Sequence, residues 1–253
     1  MTESVETTIN IKGLTEPLTF QLPKDDLYPN SWLFLFDNFT TVYSEQIEFI
    51  ALNNTTDSRY HTTQHLIGVA FLAATIYSRE MLEWYGKDTT PVLDGRVRFV
   101  AECGLLHDFQ YRLALPTDEK RIRFTLNQVL AFSKTFSLFS IFSRWGMFRK
   151  TIEQTEFPFK YLPDTLYAKA LRDADYLYST VFCSPTLLED LYADLPKTLP
   201  GMDSWESFLN RNIGHFKEED FFTHSAKQLW HLTKVRAFNI HLDLINQLNE
   251  GKQ

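Results

Sequence analysis

The sequence predicts an all-α helical bundle behind a short N-terminal arm, and three observations carry that prediction. From Ser31 onward apolar residues recur at three- and four-residue steps almost throughout, which is the period of a buried helix face. Aromatic residues make up 15% of the chain and include 22 Phe, enough rings to fill a large core and to argue against disorder. No Gly/Ser linker, internal repeat or low-complexity run divides the 253 residues. One helical domain over residues 31–253, preceded by an arm over 1–30, is the economical reading.

Residues 7–14 and 18–22 alternate weakly around Gly13 and Pro17, a pattern that a short β-hairpin and a frayed tail satisfy equally well. Trp32, Leu35, Phe36, Phe39, Tyr43, Ile47 and Ile50 mark one helical stripe, broken by the polar run at residues 53–57. A second helix is expected over 60–85, stopped at Gly86, and a third from Gly95 to His107, with Asp94 as its cap. Asp118 to Gln128 opens the next, and Phe132, Phe136, Phe139 and Phe142 continue helical spacing up to Gly146 as core. Thr165 to Thr180 reads as a helix after Pro163-Asp164, and Pro185, Pro196 and Pro200-Gly201 punctuate the stretch beyond it. The last helix runs from Glu218 to Asn249, bringing the total to roughly eight to ten helices.

Charge and composition exclude several classes. A formal net charge of -7 and a pI near 5.5 give no general pull toward nucleic acid or an anionic membrane. The most apolar stretch, residues 129–148, is interrupted by Lys134 and Arg144 and falls short of the roughly 20 apolar residues of a membrane span. The N-terminus shows no apolar signal region. Cys103 and Cys183, 80 residues apart, offer neither a CxxC pair nor a disulfide framework, so a reducing, cytoplasmic setting is expected. The aromatic-rich helices would suit a homodimer.

Three segments carry chemistry: Tyr60-His61-x-x-x-His65, His107-Asp108, and Asp173-Ala174-Asp175. His61 and His65 are four apart and would share a helix face. Leu66, Val69, Ala70 and Ala73 place at least His65 at the core edge. His107-Asp108 ends a run of small and apolar residues, where an imidazole and a carboxylate are costly to bury unless a divalent cation compensates both. Asp173 and Asp175 interrupt a helix on an apolar background, which is locally unfavourable and invites a reason.

The order His, His-Asp, distant Asp, all on helices, resembles the HD superfamily of metal-dependent phosphohydrolases. The resemblance spans roughly residues 45–180. It implies His65, His107, Asp108 and Asp175 as the metal ligands, because the stretch Asp173-Ala174-Asp175-Tyr176-Leu177 is similar to the superfamily's DADRL form, whose second Asp ligates. Two imidazoles and two carboxylates suit Mn, Fe, Co, Ni, Mg or Zn, and an octahedral ion so held keeps positions for water and a phosphate oxygen. Tyr60-His61-x-x-x-His65 also resembles an element of cyclic-nucleotide phosphodiesterases, which implies His61 as general acid. Those enzymes follow HD with xxH, whereas Tyr111 stands here. Di-metal relatives often carry His-His where residues 151–156 lie, and this chain offers Glu156 instead. The resemblance therefore implies a mononuclear centre, with Glu156 as a second candidate catalytic group.

The implied activity is hydrolysis of a phosphoester in a nucleotide or similar small metabolite. A catalytically inactive HD scaffold that binds metal or ligand, or an HD-type oxygenase or hydratase, stands beside it. Arg112, Arg59, Lys120 and Arg121 are the candidate phosphate cations, Arg112 first by position. Asp173 is read as a capping or supporting residue. His224 and His231, seven apart, are read as solvated, and His215 and His241 carry no site reading.

Overall fold

The computed structural model describes residues 4–24, 31–85, 95–132, 139–156, 161–196, 202–215 and 221–250. It is an all-α fold with a short N-terminal hairpin. Strands β1 (Ser4–Ile9) and β2 (Leu18–Pro23) pair antiparallel, with Ser4 opposite Pro23 and Ile9 opposite Leu18. The hairpin is no loose tail: Ile11, Phe20 and Leu22 are buried in the same core as the helices, and the Phe20 ring lies 4.8 Å from that of Phe36.

The first helical stripe is two helices, α1 (Ser31–Val42) and α2 (Ser44–Asn53), separated at Tyr43. Apolar spacing alone does not register that break, because Phe39, Tyr43 and Ile47 are buried on both sides of it. The long helix α3 (Thr63–Tyr85) begins three residues later than the spacing predicts, leaving His61 in a turn ahead of it. Helix α4 (Gly95–Leu106) stops just short of His107, and α5 covers Asp118–Phe132. Residues Asp94 and Phe136 lie outside the described residues. Phe139 is extended, a 3-10 turn covers Ser140–Arg144, and α6 covers Trp145–Glu153, so the Phe-rich stretch is not one helix. Phe139 and Phe148 are nonetheless buried core.

Helix α7 (Leu166–Val181) starts at a Thr165 cap whose hydroxyl accepts from the Ala168 N–H. The Pro-punctuated region then yields two unexpected helices, α8 (Pro185–Asp194) and α9 (Trp205–His215). Helix α10 (His224–Glu250) closes the order, with the first residues of the expected helix, 218–220, outside the described residues. No helix among the described residues is long and apolar enough to cross a membrane.

Helices α3, α4 and α7 form the centre, and glycine sets how closely they cross. A Cβ on Gly104 would stand 2.4 Å from the Ala70 Cα, so only glycine lets α4 lie this near α3. On the other side, a Cβ on Gly68 would stand 2.4 Å from the Tyr178 ring of α7. Asp173 joins α7 to α10: its carboxylate accepts from the N–H groups of Phe222 and Thr223 and from the Thr223 hydroxyl. Burial, opposed by those bonds, pushes that carboxyl up to about 6. This is the supporting role its position suggests. His224 and His231 are exposed, whereas His241 is buried with Nδ1 against the Ala237 carbonyl at 2.7 Å.

Candidate metal centre

Each of the three central helices delivers part of one cluster. His65 is the third residue of α3, His107 and Asp108 come directly after α4, and Asp175 sits mid-way along α7. The Nε2 atoms of His65 and His107 face each other at 3.2 Å. Asp175 Oδ1 stands 3.3 Å from His65 Nε2 and 3.7 Å from His107 Nε2. Asp108 Oδ2 stands 3.4 Å from His107 Nε2 and 3.9 Å from His65 Nε2. Two atoms bonded at about 2.1 Å to one ion are separated by about 3.0 Å when adjacent and about 4.2 Å when opposite. All five separations fall in or near that window.

Two groups that share His65 could each hold a metal ion, His65 with His107 and Asp175 and His65 with His61 and Asp108, and the donor chemistry fits a cation. His107 Nδ1 lies 2.8 Å from the Gly104 carbonyl, which can only accept, so Nδ1 carries a hydrogen and the neutral ring presents a lone pair at Nε2. His65 Nδ1 is buried without a hydrogen-bond partner among the described residues. Both imidazoles are fully buried, while the Asp108 and Asp175 side chains are 16% and 35% exposed. The carboxylates therefore form the solvent side of the cluster. Tyr60 and Tyr178 wall the inner side, with ring centroids 4.9 and 4.6 Å from His65.

The electrostatics describe a pair of imidazoles sharing a single proton. Burial pushes His65 down to about 4 despite the pull of Asp175. Burial would lower His107 too, but Asp108, Asp175 and the Gly104 carbonyl outweigh it and raise His107 to about 9. Asp175, which burial would raise, is held far below the carboxylate range by the two imidazoles. A cation needs both rings neutral, so binding must expel the His107 proton. That proton is present below about 9 and His65 is neutral above about 4, so affinity falls as pH falls. Between pH 6 and 8, Mn(II) affinity measured by competition with a chromophoric chelator should rise about tenfold per pH unit. An affinity flat across that range would contradict the shared-proton picture.

The loops beside the cluster are zipped together by the polar run that ends α2. Gln110, left-handed at φ 57°, donates its N–H to Asn54 Oδ1 at 2.7 Å. The Thr56 hydroxyl donates to the Tyr111 carbonyl, and the Leu113 N–H to Asp57 Oδ1. His61 is thereby brought alongside Asp108, with Nε2 3.6 Å from Oδ2. Its ring stacks on Tyr111 at 3.8 Å and 10°, so the residue that departs from the phosphodiesterase pattern is a packing partner of His61.

Two residues that the sequence did not single out complete this corner. Ser58 Oγ accepts the His61 N–H at 2.7 Å, lies 3.0 Å from His61 Nδ1, and donates to Asp194 Oδ2. Asp194, the last residue of α8, also accepts the N–H groups of Arg59 and Tyr60. Burial would raise the Asp194 carboxyl, but His61, Ser58 and these N–H groups hold it well below the usual range. The signal for α8 is present in the chain: Ser184 caps it by accepting from the Leu187 N–H, and Pro185 is its first residue, a favoured start rather than a break.

Other expected residues are placed elsewhere or already engaged. Glu156 lines a groove between α5 and α6 with Arg123, Arg149 and Lys150, and is in neither of the two potential ligand groups. Arg112 donates to the Thr55 carbonyl at 3.0 Å and lies over the Phe124 ring, fastening the loop rather than reaching the cluster. Arg121 lies over the Tyr111 ring and donates to the Leu113 carbonyl. Arg59 pairs with Asp190 at 2.9 Å, and Lys120 is exposed at the start of α5. Compared with known proteins, the chain matches no family model, no curated protein sequence and no solved structure.

Proposed function

We propose that the chain is a metal-dependent phosphohydrolase of the HD type, acting on a phosphoester of a nucleotide or similar small metabolite in the cytoplasm. The observation that carries the reading is the convergence of His65, His107, Asp108 and Asp175, in that chain order, from three packed helices. A single divalent ion, of Mn, Fe, Co, Ni, Mg or Zn, would supply Lewis acidity and a more acidic bound water there. His65 and His107 aim Nε2 at the centre from the dry side, and Tyr60 and Tyr178 keep water from it. Asp108 and Asp175 face solvent, where a small anionic substrate can approach. The two free, buried cysteines accord with a reducing compartment.

A second reading has its own support. Arg59, Arg112 and Arg121 are engaged in contacts with the protein itself, which favours a metal-bound module without turnover. The test is a phosphoester screen over nucleotides with and without Mn, on the purified full chain. The hydrolase reading predicts metal-dependent turnover that Asp108→Ala reduces by more than the about 10–100-fold typical of losing a group behind a ligand. Bound metal without turnover on any phosphoester selects the module, and absence of metal binding removes both.

A further inference from the structure

We infer that His61 is a fifth ligand of the centre, presented as a neutral imidazole by Ser58 and Asp194, rather than its proton donor. The inference rests on the reading that His65, His107, Asp108 and Asp175 hold a divalent cation.

Counting hydrogens assigns the His61 tautomer. Ser58 has one hydroxyl hydrogen and donates it to Asp194 Oδ2, a carboxylate oxygen that also accepts the Tyr60 N–H at 2.9 Å. With that hydrogen committed, Ser58 Oγ can only accept. It accepts the His61 backbone N–H at 2.7 Å, so the ring nitrogen Nδ1, 3.0 Å away, must bring a hydrogen of its own. The neutral His61 ring therefore carries its lone pair on Nε2, the atom turned toward the cluster.

Geometry sets what that lone pair meets. Nε2 is 3.6 Å from Asp108 Oδ2, too far for a hydrogen bond and within the span of two atoms on one ion. The ligand atoms of His61, His65 and Asp108 all lie within 4.8 Å of one another. Tyr111 stacked on one face of the ring fixes its plane. A carboxylate backing the far nitrogen of an imidazole, here through a serine hydroxyl, is the arrangement that orients histidine ligands. A neutral ring with its hydrogen on Nδ1 has nothing on Nε2 to give a leaving group. Proton donation would require a second hydrogen on the ring.

The experiment strips the full-length chain of metal and measures Mn(II) affinity by chelator competition for wild type, His61→Ala, Asp194→Asn and Asp175→Ala. His61→Ala should weaken binding at least tenfold, and Asp194→Asn about 10–100-fold or less, the range for a partner behind a ligand. Wild-type affinity in His61→Ala, alongside a loss in Asp175→Ala, overturns the fifth ligand and leaves the four-residue centre standing. Undiminished affinity in both overturns the centre as well. Long-range 1H–15N spectra of the metal-free wild type, which need no variant to fold, should show the His61 hydrogen on Nδ1. A wild-type hydrogen on Nε2 overturns the inference.

Discussion

Replacing Asp175 by alanine is expected to weaken divalent-cation binding by more than the about 100-fold upper range for groups behind a ligand, with the helical fold retained. Asp175 Oδ1 is the carboxylate oxygen nearer His65 Nε2, at 3.3 Å, and the Asp108 oxygen stands farther off at 3.9 Å. Its side chain is 35% exposed, so truncation opens no sealed cavity and alanine suits the middle of α7. The loss also removes one of the two carboxylates that keep His107 protonated, so the His107 pKa should fall in the variant. Chelator competition reads the affinity and far-ultraviolet circular dichroism reads the fold. Affinity within threefold of wild type would show that Asp175 is not a ligand.

Replacing Glu102 by alanine should cost about 1.5–3 kcal/mol of stability, the range for hydrogen bonds to a charged group. Glu102 is fully buried in α4. Its Oε1 accepts from Arg98 Nε at 2.8 Å. Its Oε2 accepts the Ser140 N–H, the Ser140 hydroxyl and the Ile141 N–H, at 2.8, 2.8 and 3.0 Å. Truncation strands two backbone donors at the start of the 3-10 turn and leaves the guanidinium without this partner. Urea unfolding gives the difference directly. A loss below about 1 kcal/mol would mean that water replaces these bonds at little cost.

Periodicity makes most of the fold legible, because burying one face of a helix imposes a spacing that survives in a single sequence. It does so for α5 and α10, and for the stripe of α1 and α2, but it carries no record of a backbone break placed within the stripe, as at Tyr43. The four central site residues are legible from their order along the chain. The supporting corner is not. Asp194 is 133 residues from His61 and on a helix whose opening Pro185 looks, in sequence, like an interruption, so nothing local links the two. Spacing puts His61 one helical turn before His65, whereas hydrogen bonds to Ser58 hold it in a turn outside α3. Arg112 and Glu156 stand out only by sequence distance from the histidine-aspartate pair and by a family position. Neither criterion registers that a guanidinium will fasten the nearest carbonyl, as Arg112 does at Thr55, or that α6 ends in a different groove.

The proposed function requires two imidazoles and two carboxylates to share one cation. An anomalous difference map from crystals grown with Mn(II) addresses that point without any assay of turnover. A single strong peak is expected within bonding distance of His65 Nε2, His107 Nε2 and a carboxylate oxygen each of Asp108 and Asp175. A peak bound elsewhere, or none among these four side chains at saturating Mn(II), would contradict the shared-cation centre.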